Sequence, residues 1–189
     1  MNARALIAEF VGTFTLIFIG VGAIAMNGFT GGDSGLVGVA LAHGLAIAVM
    51  VSATAAVSGG HLNPAVTFGA LVGRKISIIN AIGYIVAQCA GAIAAAMLLP
   101  FVMPAGLLEA VKFGTPLLNV EKGVTPMMGM ILEGVLTFFL VFVVFGTGID
   151  KRAPKVGGLF IGLTITMDIL FGGPLTGGAI NPARHLGPA

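Results

Sequence analysis

Charge is the scarcest property of this sequence: 8% of its 189 residues are Asp, Glu, Lys or Arg, against about 25% in soluble domains. That shortage excludes a water-soluble fold. With 57% hydrophobic residues and a mean hydropathy of +1.09, the chain belongs in lipid. The formal charge of +2 rests on few ionisable groups, and no run of Lys and Arg with interleaved aromatics exists to track phosphates, so nucleic acid is excluded as a partner. A single cysteine, Cys89, excludes an intrachain disulfide and a multi-cysteine metal site. The three histidines are scattered and suggest no metal. No nucleophile–base pairing is evident. Neither a cofactor nor an enzymatic activity is expected.

What is present is a series of long apolar runs. Ala5–Met26, interrupted only by Glu9, exceeds the ~7–15 residues of a signal peptide's apolar region. It reads as a transmembrane helix, which needs roughly 20 mainly apolar residues. Leu36–Val57 is a second span, about 76–102 a third, and about 127–149 a fourth that contains Glu133. Val156–Phe171 is a short fifth, carries Asp168, and precedes a glycine-rich stretch, Gly172-Gly173-Pro174, that reads as a loop pinned by Asp168. The runs lack the alternation of barrel strands and are therefore helices. Small residues recur every fourth position, as in Ala40, Gly44, Ala48 and Ser52 or Gly158 and Gly162, which suits close helix packing. Arg4, Arg74, Lys75, Lys151, Arg152 and Lys155 fall on one side of an alternating topology, and Lys112 and Lys122 on the other. The excess on one side predicts a cytoplasmic N-terminus in the cell (plasma or inner) membrane.

The two halves repeat each other. Glu9-Phe10-Val11-Gly12-Thr13-Phe14 echoes Glu133-Gly134-Val135-Leu136-Thr137-Phe138. Gly59-Gly60-His61-Leu62-Asn63-Pro64-Ala65 echoes Gly177-Gly178-Ala179-Ile180-Asn181-Pro182-Ala183. An odd number of spans separates the two Asn-Pro-Ala segments, so they enter from opposite membrane faces, as in an inverted repeat. One domain over 1–189 is expected, with repeats at 1–102 and about 124–189. Asn is a strong N-cap and Pro suits the first helical position, so each motif starts a half-helix. The paired glycines before them permit the turn into the membrane. Each half-helix aims free N–H groups and a positive dipole end at the bilayer centre. If Asn63 and Asn181 use their oxygens as caps, their NH2 groups can face a pore. Water passing between them must accept from both, which interrupts a proton wire.

These motifs, with Ala8-Glu9-Phe10-Val11-Gly12-Thr13, the run from Ser58 to Gly69 and Asn181-Pro182-Ala183-Arg184, resemble the aquaporin, or major intrinsic protein, family over essentially the whole chain. The resemblance implies an all-α membrane protein, a right-handed inverted-repeat bundle with five of its six transmembrane helices here, two half-helices meeting at the Asn-Pro-Ala motifs, and a homotetramer with one pore per subunit. It implies a filter of His43, Ile169, Gly178 and Arg184, similar to that of tonoplast-type channels for water and ammonia. In that filter His43 and Arg184 offer donors, Ile169 gives an apolar wall and Gly178 leaves space. Glu9 and Glu133 are expected to accept hydrogen bonds from half-helix or loop backbone and brace the fold. The sequence stops about two turns into the second half-helix, without a sixth span, and the 189-residue form is expected to insert but conduct poorly.

The expected function is a passive channel for water and small neutral solutes, including ammonia or hydrogen peroxide, that excludes protons and ions. A glycerol facilitator of the same family is the alternative; His185 stands where such facilitators usually have Asp. An ion-coupled secondary transporter, which also uses inverted repeats and broken helices, and a non-conducting scaffold are more distant readings.

Overall fold

The computed structural model describes residues 2–153 and 155–189, and within them every regular element is helical. Helix α1 (Ala3–Phe29) opens on Asn2, whose side chain accepts from the Arg4 N–H at 3.0 Å. Helix α2 (Gly35–Ser58) ends at Gly59, which adopts φ 90°, a left-handed conformation that glycine enters without penalty. Helix α3 (Pro64–Val72) is a half-span. Helix α4 (Ile78–Leu98) is capped by Ser77 and prolonged by the 3-10 turn Leu99–Phe101. A connection with the single-turn helix α5 (Leu107–Ala110) leads to α6 (Pro126–Val143), capped by Thr125 and continued by a π-helical turn, Val144–Ile149. Helix α7 (Gly157–Thr176) and the short α8 (Pro182–Leu186) complete the described chain. Helices α1, α2, α4, α6 and α7 are long and apolar enough to cross a membrane.

Backbone-to-backbone approach holds the bundle together. A Cβ on Gly44 would strike the Gly162 carbonyl and Thr166, and one on Gly162 would strike the Gly44 carbonyl, so α2 and α7 meet glycine to glycine. Likewise a Cβ on Gly91 of α4 would run into the Phe10 carbonyl of α1. In lipid, where apolar burial gives helices little reason to associate, such van der Waals fit is a principal source of cohesion. Because α2 belongs to the first half and α7 to the second, this crossing also joins the two halves.

One expectation is corrected here. Gly172-Gly173-Pro174 is not a loop: α7 runs through it to Thr176 and ends where the Gly177 N–H donates to the Gly173 carbonyl at 3.0 Å. Glycine and proline punctuate helices in water, but in lipid every backbone group needs an internal partner and helix is the way to supply it. The carbonyls near that end are taken by Asn119, whose Nδ2 donates to Pro174 O at 3.0 Å and whose N–H donates to Leu175 O at 2.9 Å. Asp168 therefore pins no loop. It is fully buried within α7, and neither carboxyl oxygen has a hydrogen-bond partner.

Candidate pore and filter

The two Asn-Pro-Ala segments meet inside the bundle. Asn63 and Asn181 are extended N-caps, and their Oδ1 atoms accept from Ala65 N–H (2.8 Å) and from Ala183 and Arg184 N–H (3.0 and 3.3 Å). The amide nitrogens cross to the other half. Asn63 Nδ2 donates to Ile180 O at 2.9 Å, and Asn181 Nδ2 donates to Leu62 O at 3.0 Å. Each NH2 has two hydrogens, so one locks the opposing loop and the other remains for the space between them. This reciprocity requires Leu62 and Ile180 to adopt φ of 50° and 49°, a left-handed conformation uncommon for branched residues. Both are buried, at 0% and 2% exposure, and that packing holds the conformation in place.

Behind each loop stands a carboxylate. Glu9 Oε1 accepts from Ser58 Oγ (2.6 Å) and His61 N–H (3.0 Å), and its Oε2 accepts from Leu62 N–H (2.6 Å) and Gln88 Nε2 (2.7 Å). Glu133 Oε1 accepts from Thr176 Oγ1 and from Ala179 N–H (3.1 Å), while its Oε2 accepts from Ile180 N–H (2.8 Å). The residues contacted occupy matching positions in the repeat, one before Asn and two before Asn. Gln88 and Thr67 extend the first network: Gln88 Nε2 also donates to Thr67 Oγ1 at 2.9 Å. Sequence reasoning passed over Gln88, although a lone amide in an apolar span is itself a signal for a buried polar role.

Three adjoining cavities thread the bundle. A central one of about 410 Å³ touches Asn63, Asn181, Val66, His61 and an apolar wall that includes Ile47, Leu140 and Ile165. It shares His43, Ile169 and Arg184 with a vestibule of about 860 Å³ on one side. On the other it shares Val51, His61 and Ile161 with a vestibule of about 1740 Å³, whose rim carries Lys75, Lys151 and Lys155. Gly178 lines the central cavity beside Ile169, its φ being 55°. His43, Ile169, Gly178 and Arg184 thus come together at one end of the passage, one turn of α8 away from Asn181.

The chemistry at that end differs from expectation in one respect. His43 Nδ1 lies 2.9 Å from Val39 O, so Nδ1 carries the proton and Nε2 is left as an acceptor. Arg184 Nε then donates to His43 Nε2 at 3.4 Å. In this arrangement His43 Nε2 faces the guanidinium as an acceptor, where the sequence suggested a donor. Arg184 supplies the free donor: its Nη1 is buried without a partner, and among the described residues it forms no ion pair. Gly20 of α1, which sequence reasoning did not single out, makes room for the imidazole; a Cβ there would collide with Nε2, Cδ2 and Cε1 of His43.

A helical bundle crossed by a passage, with paired broken helices at its centre, defines a membrane channel. Comparison with known proteins agrees. The sequence model of the major intrinsic protein family matches residues 1–189. The chain is 46% identical over 201 residues to a probable aquaporin TIP3-2 of Arabidopsis thaliana, covering 100% of this chain and 73% of that protein. It is 43% identical over 194 residues to aquaporin TIP4-4 of Zea mays, covering 98% and 74%. Its fold matches the X-ray structure of the aquaglyceroporin from Plasmodium falciparum with a TM-score of 0.85 at 29% identity, over 98% of this chain and 78% of that one. The chain belongs to the major intrinsic protein family and is an integral, multi-pass membrane protein.

Proposed function

We propose that the protein is a passive channel for water and small neutral solutes, ammonia among them, with Asn63 and Asn181 as the central barrier and His43, Ile169, Gly178 and Arg184 as the filter. The observation that carries this reading is the run of three adjoining cavities that passes both asparagines and is smallest in the middle. The free N–H of each Asn donates to a passing water, which turns that water's own hydrogens outward and breaks proton relay. The unpaired guanidinium of Arg184 repels cations at one end. Opposite it, the apolar Ile169 and the side-chain-free Gly178 leave a gap that suits a small neutral molecule.

Glu9 and Glu133 brace the two loops that carry the asparagines. Residues 1–102 and about 124–189 form the two repeats of one domain, and four copies assemble as a homotetramer with a pore in each subunit. The basic rim of one vestibule supports a cytoplasmic N-terminus, and the cell membrane is the proposed location. The TIP relatives make an intracellular membrane the alternative, which fractionation of tagged protein separates.

The test is stopped-flow swelling of proteoliposomes. It uses both the 189-residue chain and a chimera continued beyond Ala189 by the remainder of the Zea mays relative. Water and ammonia flux that ignores protonophores, without ion current, is expected of the chimera. Flux driven by an ion gradient, or permeability equal to empty liposomes, would reject the channel. Arg184→Ala should admit larger solutes, and unchanged selectivity removes the filter assignment. Glycerol is the second solute to measure, because the matched fold includes an aquaglyceroporin; glycerol flux that rivals water flux would favour that reading.

A further inference from the structure

One hydroxyl decides how a second histidine meets the passage. Thr67 Oγ1, fully buried on α3, lies 3.0 Å from Asn63 O, 2.9 Å from Gln88 Nε2 and 3.1 Å from His61 Nδ1. A hydroxyl has one hydrogen and two lone pairs. The carbonyl can only accept, so the hydrogen goes to Asn63 O. Gln88 can only donate here, because its Nε2 also reaches the Glu9 carboxylate at 2.7 Å, which fixes the orientation of the amide. One lone pair is left, and it faces His61. Nδ1 therefore carries the ring proton and donates to Thr67, which leaves Nε2 as an acceptor. The opposite tautomer would set two acceptor oxygens, Thr67 Oγ1 and Asn63 O, 3.0 Å apart with no hydrogen between them.

Neighbouring groups fix the ring's orientation. The His61 backbone N–H donates to Glu9 Oε1 at 3.0 Å. Tyr84 of α4 packs edge-on with ring centroids 5.3 Å apart, and its own hydroxyl donates to Ser58 O at 2.8 Å. The Cδ2–Nε2 edge turns toward Gly59, where a Cβ would meet both atoms at 3.5 Å. His61 stands where the central cavity opens into the wider vestibule, a position it shares with Val51 and Ile161. Both of those are apolar, so His61 carries the polar side chain at this neck. Among the described residues its Nε2 has no hydrogen-bond partner. The matching position of the repeat is Ala179, so the second half supplies no such acceptor.

We propose that His61 is a solute-contacting residue whose Nε2 accepts a hydrogen bond from each permeating water, with Thr67 and Gln88 as positioning residues that hold its tautomer. This rests on the channel reading above and adds a polar contact on the far side of the asparagines from Arg184. Waters that have accepted from Asn63 and Asn181 point their hydrogens outward. On the vestibule side those hydrogens meet the His61 acceptor, where the Val51 and Ile161 side chains offer none. Protonation of Nε2 replaces the acceptor by a donor and a positive charge, so acidification should slow flux. The charged and titratable groups around the ring are Glu9 from α1 and Tyr84 from α4, with Lys75, Lys151 and Lys155 across the vestibule. His43 and Arg184 stand at the other end of the central cavity.

Nitrogen-15 NMR of the 189-residue chain, labelled at histidine, tests the tautomer independently of transport. His61 is assigned by the signals that His61→Gln removes. A protonated Nδ1 and a bare Nε2 are expected at neutral pH. Thr67→Val should let the other tautomer appear, and Thr67→Ser should restore the parent pattern. A parent with its proton on Nε2 overturns the proposal. Stopped-flow water flux in the chimera tests the contact. His61→Leu keeps the bulk and loses the acceptor, so flux should fall about two- to tenfold, the effect of one hydrogen bond. His61→Gln should retain more. Parent flux should fall as pH is lowered from about 8 to about 5, and the His61→Leu profile should be flatter. Circular dichroism checks the helicity of each variant. A conducting parent matched by His61→Leu in flux and pH profile overturns the proposal and leaves the channel reading standing; a parent without flux overturns both.

Discussion

Removing the Glu9 carboxylate should destabilise the first loop more than any other single truncation in the core. Four donors converge on it, and two are backbone N–H groups, of His61 and Leu62, with no other hydrogen-bond partner among the described residues. Leaving a buried donor unsatisfied costs about 1–3 kcal/mol. Two such groups put Glu9→Ala at about 2–6 kcal/mol, before the lost bond of the Gln88 amide is added. Glu133→Ala orphans Ala179 and Ile180 N–H in the same way, so these two groups should likewise cost about 2–6 kcal/mol. Glu9→Gln keeps one acceptor oxygen and turns an NH2 toward the remaining donors, and should fall between Glu9→Ala and the parent. Equilibrium unfolding in mixed micelles with rising dodecyl sulfate measures all three. A loss below about 1 kcal/mol for Glu9→Ala, near the mean of interhelical hydrogen bonds in membranes, would refute the reasoning, because the loop would then be held by packing alone.

Other substitutions follow from single contacts. Gly162→Leu forces α2 and α7 apart at the Gly44 carbonyl; a cost at or above the about 1–3 kcal/mol of overpacking is expected in the same unfolding assay, and parent-like stability would contradict the close crossing. Gly20→Ala pushes the His43 ring off Arg184. In the flux chimera it should alter the ratio of water to ammonia permeability, whereas an unchanged ratio would show that His43 does not orient the guanidinium. Asn119→Ala keeps the backbone bond to Leu175 O but loses the side-chain bond to Pro174 O; a loss of about 0.5–1.5 kcal/mol is expected, with faster amide exchange at the end of α7.

Much of the architecture was legible because lipid leaves a chain few options. Apolar runs of span length must become helices, and Asn-Pro at the head of a half-span announces a cap and a first turn whatever surrounds it. The repeat of Glu and Asn-Pro-Ala pointed to two matching loops for the same reason. Gly172-Gly173-Pro174 misled, since its local chemistry is that of a turn in water and the surrounding lipid decides otherwise. Gly20 and Gln88 passed unnoticed because their partners, His43 and Glu9, lie far away in sequence.

The sequence by itself determined the helices, the half-helices and the doubled motif, all of which depend on backbone satisfaction and local caps. Only the tertiary structure decided where the second hydrogen bond of each asparagine goes and which ring nitrogen of His43 faces Arg184. Those are contacts between residues up to 141 positions apart, and a donor's choice among distant acceptors is set by packing geometry that no local pattern encodes.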